Sequence, residues 1–187
     1  SISLCIIAKN EENSLARCIK CVKEFVDEII VLDTGSADKT REIASSLGAR
    51  VYDYQWINDF SAARNKCIEH ATKEWILFLD ADEEIFPKDG KKLRELVGAA
   101  NVYGYYFTIR TYTNDSSAAG WKSVIYSEYK NLPAAGWFET RLIRMFRRGI
   151  RIKFDNIIHE TINPEIHELG KVPDAPFPIH HYGRLVK

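Results

Sequence analysis

Proline, cysteine and methionine are scarce: the 187 residues hold 6, 4 and 1 of them. So little proline, beside only 10 glycines, excludes a collagen-like or proline-rich low-complexity chain. Four cysteines are too few for a scaffold stapled by disulfides. They fall at Cys5, Cys18, Cys21 and Cys67, and only Cys18 and Cys21 form a Cys-x-x-Cys pair. A zinc site needs a second such pair, and a redox motif needs its first cysteine at a helix N-terminus, whereas this pair reads as mid-helix. Small apolar filler in a reducing compartment is the better reading. No apolar run approaches the ~20 residues of a membrane-spanning helix. Basic and acidic residues number 26 each, so no net field points to nucleic acid or to a membrane surface. No basic stretch or cleavage site precedes Ile2-Ser3-Leu4-Cys5-Ile6-Ile7, so no signal peptide is expected. The expected location is cytoplasmic, or peripheral at the inner face of the membrane.

What is present is an apolar content of 45%, ordinary for a globular chain of this length. Residues 2–8 read as a strand. Asn10 is placed to cap a helix whose face carries Leu15, Cys18, Ile19 and Val22, reaching about residue 25. Residues 28–32 form a second strand, ending in Asp33-Thr34-Gly35-Ser36-Ala37-Asp38. Gly35 permits a tight turn, and Ser36 or Asp38 caps a second helix that Gly48 ends. Residues 50–54 give a third strand. Asn58 or Asp59 opens a third helix with Phe60, Ala63, Cys67, Ile68 and Ala71 on its apolar face. Trp75-Ile76-Leu77-Phe78-Leu79 is a fourth strand, buried on both faces as in the middle of a parallel sheet. This alternation predicts right-handed crossovers and an α/β fold. Beyond Pro87 come a helix using Leu93, Leu96 and Val97, a long strand over 102–113, and loops at 114–120 and 131–136. Strands over 140–147 and 150–154 flank a turn at Arg148-Gly149. No repeat or linker divides the chain. It reads as one domain, 1–187, with an alternating βα half (1–100) and a β-rich half (101–187) whose loops suit a variable second substrate, and as a piece of a longer protein.

The fourth strand runs straight into Asp80-Ala81-Asp82-Glu83-Glu84. In open α/β sheets ligands bind beyond the carboxyl ends of the strands. Asp80 and Asp82 fall there, with Asp33 at the same edge. Hard oxygen ligands two positions apart suit Mg²⁺ or Mn²⁺ or its bound phosphates; the alternative is a solvated acidic turn. Arg64 shares the apolar face of the third helix. A guanidinium there needs a partner, either a carboxylate such as Asp80 or the phosphates of a ligand. Arg141, Arg144, Arg147, Arg148, Arg151 and Lys153 spread over both faces of their strands. They read as a solvated surface with one or two phosphate-directed arginines rather than a nucleic-acid interface. His159, His167, His180 and His181 cluster late, and a histidine brought near Asp82 would complete a metal site.

Four segments occur in order: residues 3–12 (Ser-Leu-Cys-Ile-Ile-Ala-Lys-Asn-Glu-Glu), 31–40 (Val-Leu-Asp-Thr-Gly-Ser-Ala-Asp-Lys-Thr), 59–65 (Asp-Phe-Ser-Ala-Ala-Arg-Asn) and 77–83 (Leu-Phe-Leu-Asp-Ala-Asp-Glu). Together they resemble family 2 glycosyltransferases of the GT-A fold. More narrowly, they resemble the branch of lipopolysaccharide-core glucosyltransferases and bacteriocin peptide glycosyltransferases. Ile158-His159-Glu160 and His181-Tyr182-Gly183 extend the likeness.

The resemblance implies a hexosyltransferase-type enzyme with a mostly parallel central sheet and a smaller β-rich C-terminal half. It implies a nucleotide-diphosphate sugar donor, a UDP-sugar first among them, and an acceptor that is a saccharide, a lipid-linked saccharide or a peptide. It leaves room for a homodimer. Ala8, Asn10 and Glu11 would line the nucleotide site, Asp33 would contact base or ribose, and Arg64 would face the diphosphate or support the acidic pair. Asp80, Ala81 and Asp82 form the Asp-x-Asp element, with Asp82 the more direct ligand of Mn²⁺ or Mg²⁺ and His181 joining it. Inverting members carry their base in a Glu-Asp dipeptide, which this sequence lacks; Glu160 is the expected base and Glu139 the second choice. Processive synthases carry Gln-x-x-Arg-Trp, and the single glutamine, Gln55, makes no such element, so one sugar per acceptor is expected. Thr34 stands where the family commonly has a second Asp. The competing functions are a sugar nucleotidyltransferase and a non-catalytic nucleotide-sugar or carbohydrate-binding module. The nucleotidyltransferase would want glycine in the loop Lys9-Asn10-Glu11-Glu12, where there is none.

Overall fold

Six of the seven side chains of the first strand, β1 (Ile2–Ala8), are buried, so both of its faces must be covered. The computed structural model, which describes residues 1–125, 132–149, 152–157, 161–162 and 165–185, shows how. Alternate residues feed two cores. Leu4 and Ile6 join Val31 and Leu77 beneath Leu15, Ile19 and Val22 of α1 (Leu15–Val22). Cys5 joins Ile30, Ile76 and Phe78 on the opposite face. Each fully buried Leu, Ile or Phe contributes about 1.5–3 kcal/mol.

The chain continues through β2 (Glu28–Asp33), α2 (Thr40–Ser46), β3 (Arg50–Asp53), α3 (Phe60–His70) and β4 (Trp75–Phe78). Asp59 caps α3, its side chain accepting a hydrogen bond from the N–H of Ala62 at 2.9 Å. Ala63 and Cys67 lock α3 onto the second core. Strands β3, β2, β1 and β4 lie side by side in parallel, as the alternation predicts.

The second half enters the same sheet. After β5 (Glu83–Glu84) and α4 (Gly90–Leu96), the long strands β6 (Gly104–Thr113) and β8 (Gly136–Arg147) pair antiparallel, with the short β7 (Lys122–Ser123) beside β8. β8 also runs antiparallel to β4, with Trp75 opposite Arg147. β9 (Phe154–Asp155) pairs with β10 (Thr161–Ile162); after α5 (Ile166–Leu169), β11 (Ile179–His181) inserts between β6 and β5. The nine-stranded sheet is therefore mixed: its first four strands are parallel, and in the second half only β11 and β6 pair in parallel among the described strands.

Four local expectations need correction. Asn10 caps no helix: it is left-handed at φ 56°, and Ser14 holds the N-cap position of α1. Phe60 does not join the core; it is 41% exposed and meets Trp56 edge-on, with ring centres 4.8 Å apart. The described residues of 150–154 give no partner strand to β8. Of these residues, 152–154, Phe154 alone is strand, and with Asp155 it pairs with β10. Arg144, taken as one of a solvated run, is buried.

Candidate active site

The carboxyl ends of β1, β2 and β4 open onto a cavity of about 900 Å³. Ala8, Lys9, Glu11 and Thr34 line one wall, Arg64, Asp80, Ala81 and Asp82 the floor, and Tyr106, Thr140, Arg141 and Thr161 the far side. Six of the expected ligand-binding residues thus share one space. Asn10 and Asp33 are not among its lining residues. The Asn10 N–H donates to Ser36 Oγ at 2.9 Å, and its Oδ1 accepts from the Ala37 N–H at 2.8 Å, which ties the loop after β1 to the loop after β2. Asp33 is buried. Its Oδ1 accepts from the N–H groups of Gly35 and Ser36 at 3.1 and 2.9 Å, a turn that Gly35 permits at φ 102°. Its Oδ2 is a buried acceptor with no partner among the described residues.

Asp80 is enclosed by cations. Arg64 Nη2 donates to Oδ1 and Arg144 Nη2 to Oδ2, each at 2.8 Å. Arg144 Nη2 also donates to Glu83 Oε1 at 2.7 Å. Burial by itself would raise the pKa of Asp80, but the charges and hydrogen bonds of Arg144 and Arg64 outweigh it and hold the carboxyl well below the usual range. For Glu83 burial wins: it pushes the carboxyl up to about 7, against Arg144 and with the help of the Asp80 charge. The two partners expected of Arg64 were a carboxylate or a ligand phosphate; the structure supplies the carboxylate, and the cavity lies beside it. The thiol of Cys18 donates to the carbonyl of Asp80 at 3.3 Å, so one cysteine of the Cys-x-x-Cys pair supports this loop from beneath. Burial pushes the thiol of its neighbour Cys21 up to about 12 and makes it unreactive.

Asp82 faces a different neighbour. β11 lies antiparallel to β5 with His181 opposite Glu83, which carries the imidazole to the acidic loop from the far end of the sequence. His181 Nε2 lies 3.4 Å from Asp82 Oδ2, and its Nδ1 lies 3.0 Å from Thr111 Oγ1. When Nδ1–H donates to the Thr111 hydroxyl, protonated His181 donates Nε2–H toward Asp82, and the neutral ring has its Nε2 lone pair free for a cation on that side. The preceding His180 pins the strand: it is fully buried, stacked on Phe86 at 3.7 Å, with Nδ1 2.7 Å from the Tyr112 hydroxyl. Gly183 closes the pair from behind. A Cβ there would meet Asp82 Oδ2 at 2.1 Å and His181 Nε2 at 2.8 Å, so the space around the pair depends on a residue without a side chain. Asp82, His181 and Gly183 also line a second cavity of about 510 Å³ with Asp115 and Arg184, so Asp82 stands between the two spaces.

Among the described residues no three His, Cys, Asp or Glu side chains converge as a metal cage. One carboxylate and one imidazole nonetheless suit Mn²⁺ or Mg²⁺, which take few protein ligands and complete their shell with water and substrate phosphate oxygens.

The two expected bases part ways. Glu139 sits opposite Arg110 on the face of the sheet turned away from Thr111 and His181, and it is held by Arg110 Nε at 2.8 Å and Lys122 Nζ at 2.7 Å. Burial opposes ionisation there, but the two cations and their hydrogen bonds prevail and lower its pKa. It is not among the residues that line the cavity. Glu160, with Ile158 and His159, lies outside the described residues. Arg144 is the site residue that the sequence reading passed over. The available signal was its place in Ile143-Arg144-Met145-Phe146, a lone charge among apolar residues.

Residues 3–161 match the model of Glycosyl transferase family 2. A TPR repeat-containing protein of Synechococcus elongatus is 37% identical across 97% of this chain and 42% of its own length. The SPbeta prophage-derived glycosyltransferase SunS of Bacillus subtilis is 32% identical across 86% of this chain and 34% of its own. The chain therefore spans less than half the length of either relative. Among solved structures, S. aureus TarS 1-349 superposes with a TM-score of 0.60 over 97% of this chain and 60% of that one; at 14% identity this is a likeness of fold alone. The chain belongs to glycosyl transferase family 2 and has the GT-A fold.

Proposed function

We propose that this chain is the sugar-transferring domain of a glycosyltransferase, moving one sugar from a nucleotide-diphosphate donor to an acceptor with inversion and with the help of Mn²⁺ or Mg²⁺. The observation that carries the reading is the meeting of Asp82 and His181 at 3.4 Å over Gly183, at the edge of a cavity that Ala8, Glu11 and Thr34 also line. Gly183 lets both side chains approach the backbone where a Cβ would meet them.

In this reading Asp82 and His181 hold the metal, which when bound offsets charge on the departing nucleoside diphosphate. Asp33 Oδ2, a buried acceptor awaiting a donor, receives a hydrogen bond from ribose or base. UDP-sugars are the first donors to test. Arg141, stacked at 3.5 Å over the Tyr106 ring, and Thr140 form the acceptor side of the cavity. The acceptor is a saccharide, a lipid-linked saccharide or a peptide. As its oxygen attacks the anomeric carbon, the proton passes to a carboxylate and the bond to the diphosphate breaks. Glu160 is that carboxylate in our reading. Support comes from its described neighbours: Thr161 lines the cavity, and the Ile157 carbonyl accepts a hydrogen bond from the N–H of Phe60, another lining residue.

The test is a thermal-shift screen of nucleotide sugars with and without Mn²⁺. One donor is expected to stabilise the protein in a metal-dependent way, by about 2.7 kcal/mol at a hundred times its Kd. Equal response to all donors, or none with metal, counts against the proposal.

A further inference from the structure

We propose that Arg144 is a positioning residue of the Asp82–His181 site, an inference that rests on the metal–diphosphate reading above. Its guanidinium holds the first and last residues of the loop 80–83 through Asp80 Oδ2 at 2.8 Å and Glu83 Oε1 at 2.7 Å. The same loop is closed twice more. The Asp80 N–H donates to Glu83 Oε2 at 2.9 Å, and the Glu83 N–H donates to the Asp80 carbonyl at 2.9 Å. Asp82 is the third residue of that loop, so its direction follows from a turn gripped at both ends. Arg64 holds the other oxygen of Asp80 from α3. Asp80 is thereby clasped from two elements, and Asp82 is left to face His181.

Stability alone does not account for this arrangement. A buried cluster of charges adds little over an apolar replacement of the same shape, because desolvation offsets its attraction. What such a cluster supplies is direction: a guanidinium bonded to two carboxylates fixes their separation and plane. Arg144 comes from β8, the strand that also supplies Thr140 and Arg141 to the far side of the cavity. Through it the acceptor side sets the aim of the loop that faces the donor.

The experiment is a manganese titration in the presence of UDP, followed by the loss of the free Mn²⁺ resonance, on the whole chain and three variants. Thermal unfolding verifies that each is folded. Arg144→Met alone leaves Glu83 without its cation and risks the fold, so the decisive variant is Arg144→Met with Glu83→Gln. That pair keeps one cation to one carboxylate at Arg64 and Asp80 and keeps an oxygen to accept the Asp80 N–H. It is expected to fold and to take up manganese with UDP about 10–100-fold more weakly, as loss of groups that orient metal ligands does elsewhere. Asp82→Asn is expected to abolish the uptake. Uptake by the double variant within twofold of the parent, while Asp82→Asn loses it, overturns the positioning role and leaves the site reading intact. Uptake retained by Asp82→Asn, or no manganese-dependent uptake by the parent, overturns both. Arg144→Lys, which keeps the charge on a flexible stem, is expected to recover only part of the loss; full recovery overturns the role assigned to the planar guanidinium.

Discussion

The two aspartates of one short loop live in opposite surroundings. Asp80 faces the junction of the two halves of the sheet, where Arg64 and Arg144 close on it from α3 and β8. Asp82 faces the edge, where His181 lies at 3.4 Å and the missing side chain of Gly183 lets the pair sit close to the backbone. Desolvation acts on both, but only Asp80 is fully answered by charge from the protein itself. The comparison teaches that an Asp-x-Asp element need not be a pair of equal ligands. One residue is taken up by the fold and fixes the loop, and the other is the one we propose for the ligand.

The most direct way to break the comparison is to remove Asp80. Asp80→Ala leaves two buried guanidinium groups facing each other and is expected to destabilise by about 3–5 kcal/mol, the usual cost of breaking a buried ion pair. Chemical denaturation measures it. The same change at Asp82, whose contact with His181 is longer and partly exposed, is expected to cost about 1 kcal/mol or less. Equal losses at the two positions refute the division.

Transfer activity should reverse that ranking per unit of stability lost. Asp82→Asn keeps shape and hydrogen bonding but removes the charge, and is expected to lower kcat by about 10²–10³, the scale of losing one preorganised electrostatic contact at a leaving group. Initial rates at donor and metal concentrations that saturate the parent measure it, on a variant that unfolds within a few degrees of the parent.

Gly183 sharpens the comparison on the side of Asp82. The Cβ of Gly183→Ala would overlap Asp82 Oδ2, the mobile end of a side chain, so the pair must shift while the backbone stays. Metal affinity is expected to fall about 10-fold with little change in stability, the scale seen when groups around a metal ligand are disturbed. A calorimetric titration of Mn²⁺ measures it, and unchanged affinity would show that the space is not used.

How much of this was legible depended on the range of the forces involved. The parallel start of the sheet follows from local alternation, and Asp33 and Asp80 at its edge follow from the strand ends. Arg64 betrays a partner because a charge on an apolar helix face cannot stand alone. Arg144 hid among five other basic residues, and its strand carries a register shift between Tyr105 and Tyr106 of its partner that breaks the simple alternation. Glu83 read as one acid among four because its burial comes from β5 meeting β11, a pairing of two residues that no local pattern announces. The pairing of Glu139 with Arg110 and Lys122 was hidden for the related reason that register between distant strands is set by the whole sheet. Phe60 followed the helical pattern correctly, but it stands at the first residue of α3, where the helix ends at the cavity and not in the core.

The smallest effect is one of pH, and its sign separates the two aspartates again. Burial by itself would lower the pKa of His181, but the hydrogen bond and charge of Asp82 outweigh it, and the folded value stands above the usual 6.5. A histidine whose pKa rises on folding contributes stability that is complete below its unfolded pKa and is lost as pH climbs through the folded one. Metal-free protein should therefore lose a little stability above neutrality, and His181→Asn should not. Asp80 behaves the other way: its pKa is depressed, so its contribution is complete above the unfolded value near 3.8 and disappears only in strong acid. Manganese competes with the proton for Nε2, so its affinity should rise with pH across the window in which the His181 contribution to stability falls. Two titrations on one protein, unfolding without metal and binding with it, should then change in opposite directions over the same pH range. If binding is flat across that range, His181 is not a ligand, and Asp82 must hold the metal without it.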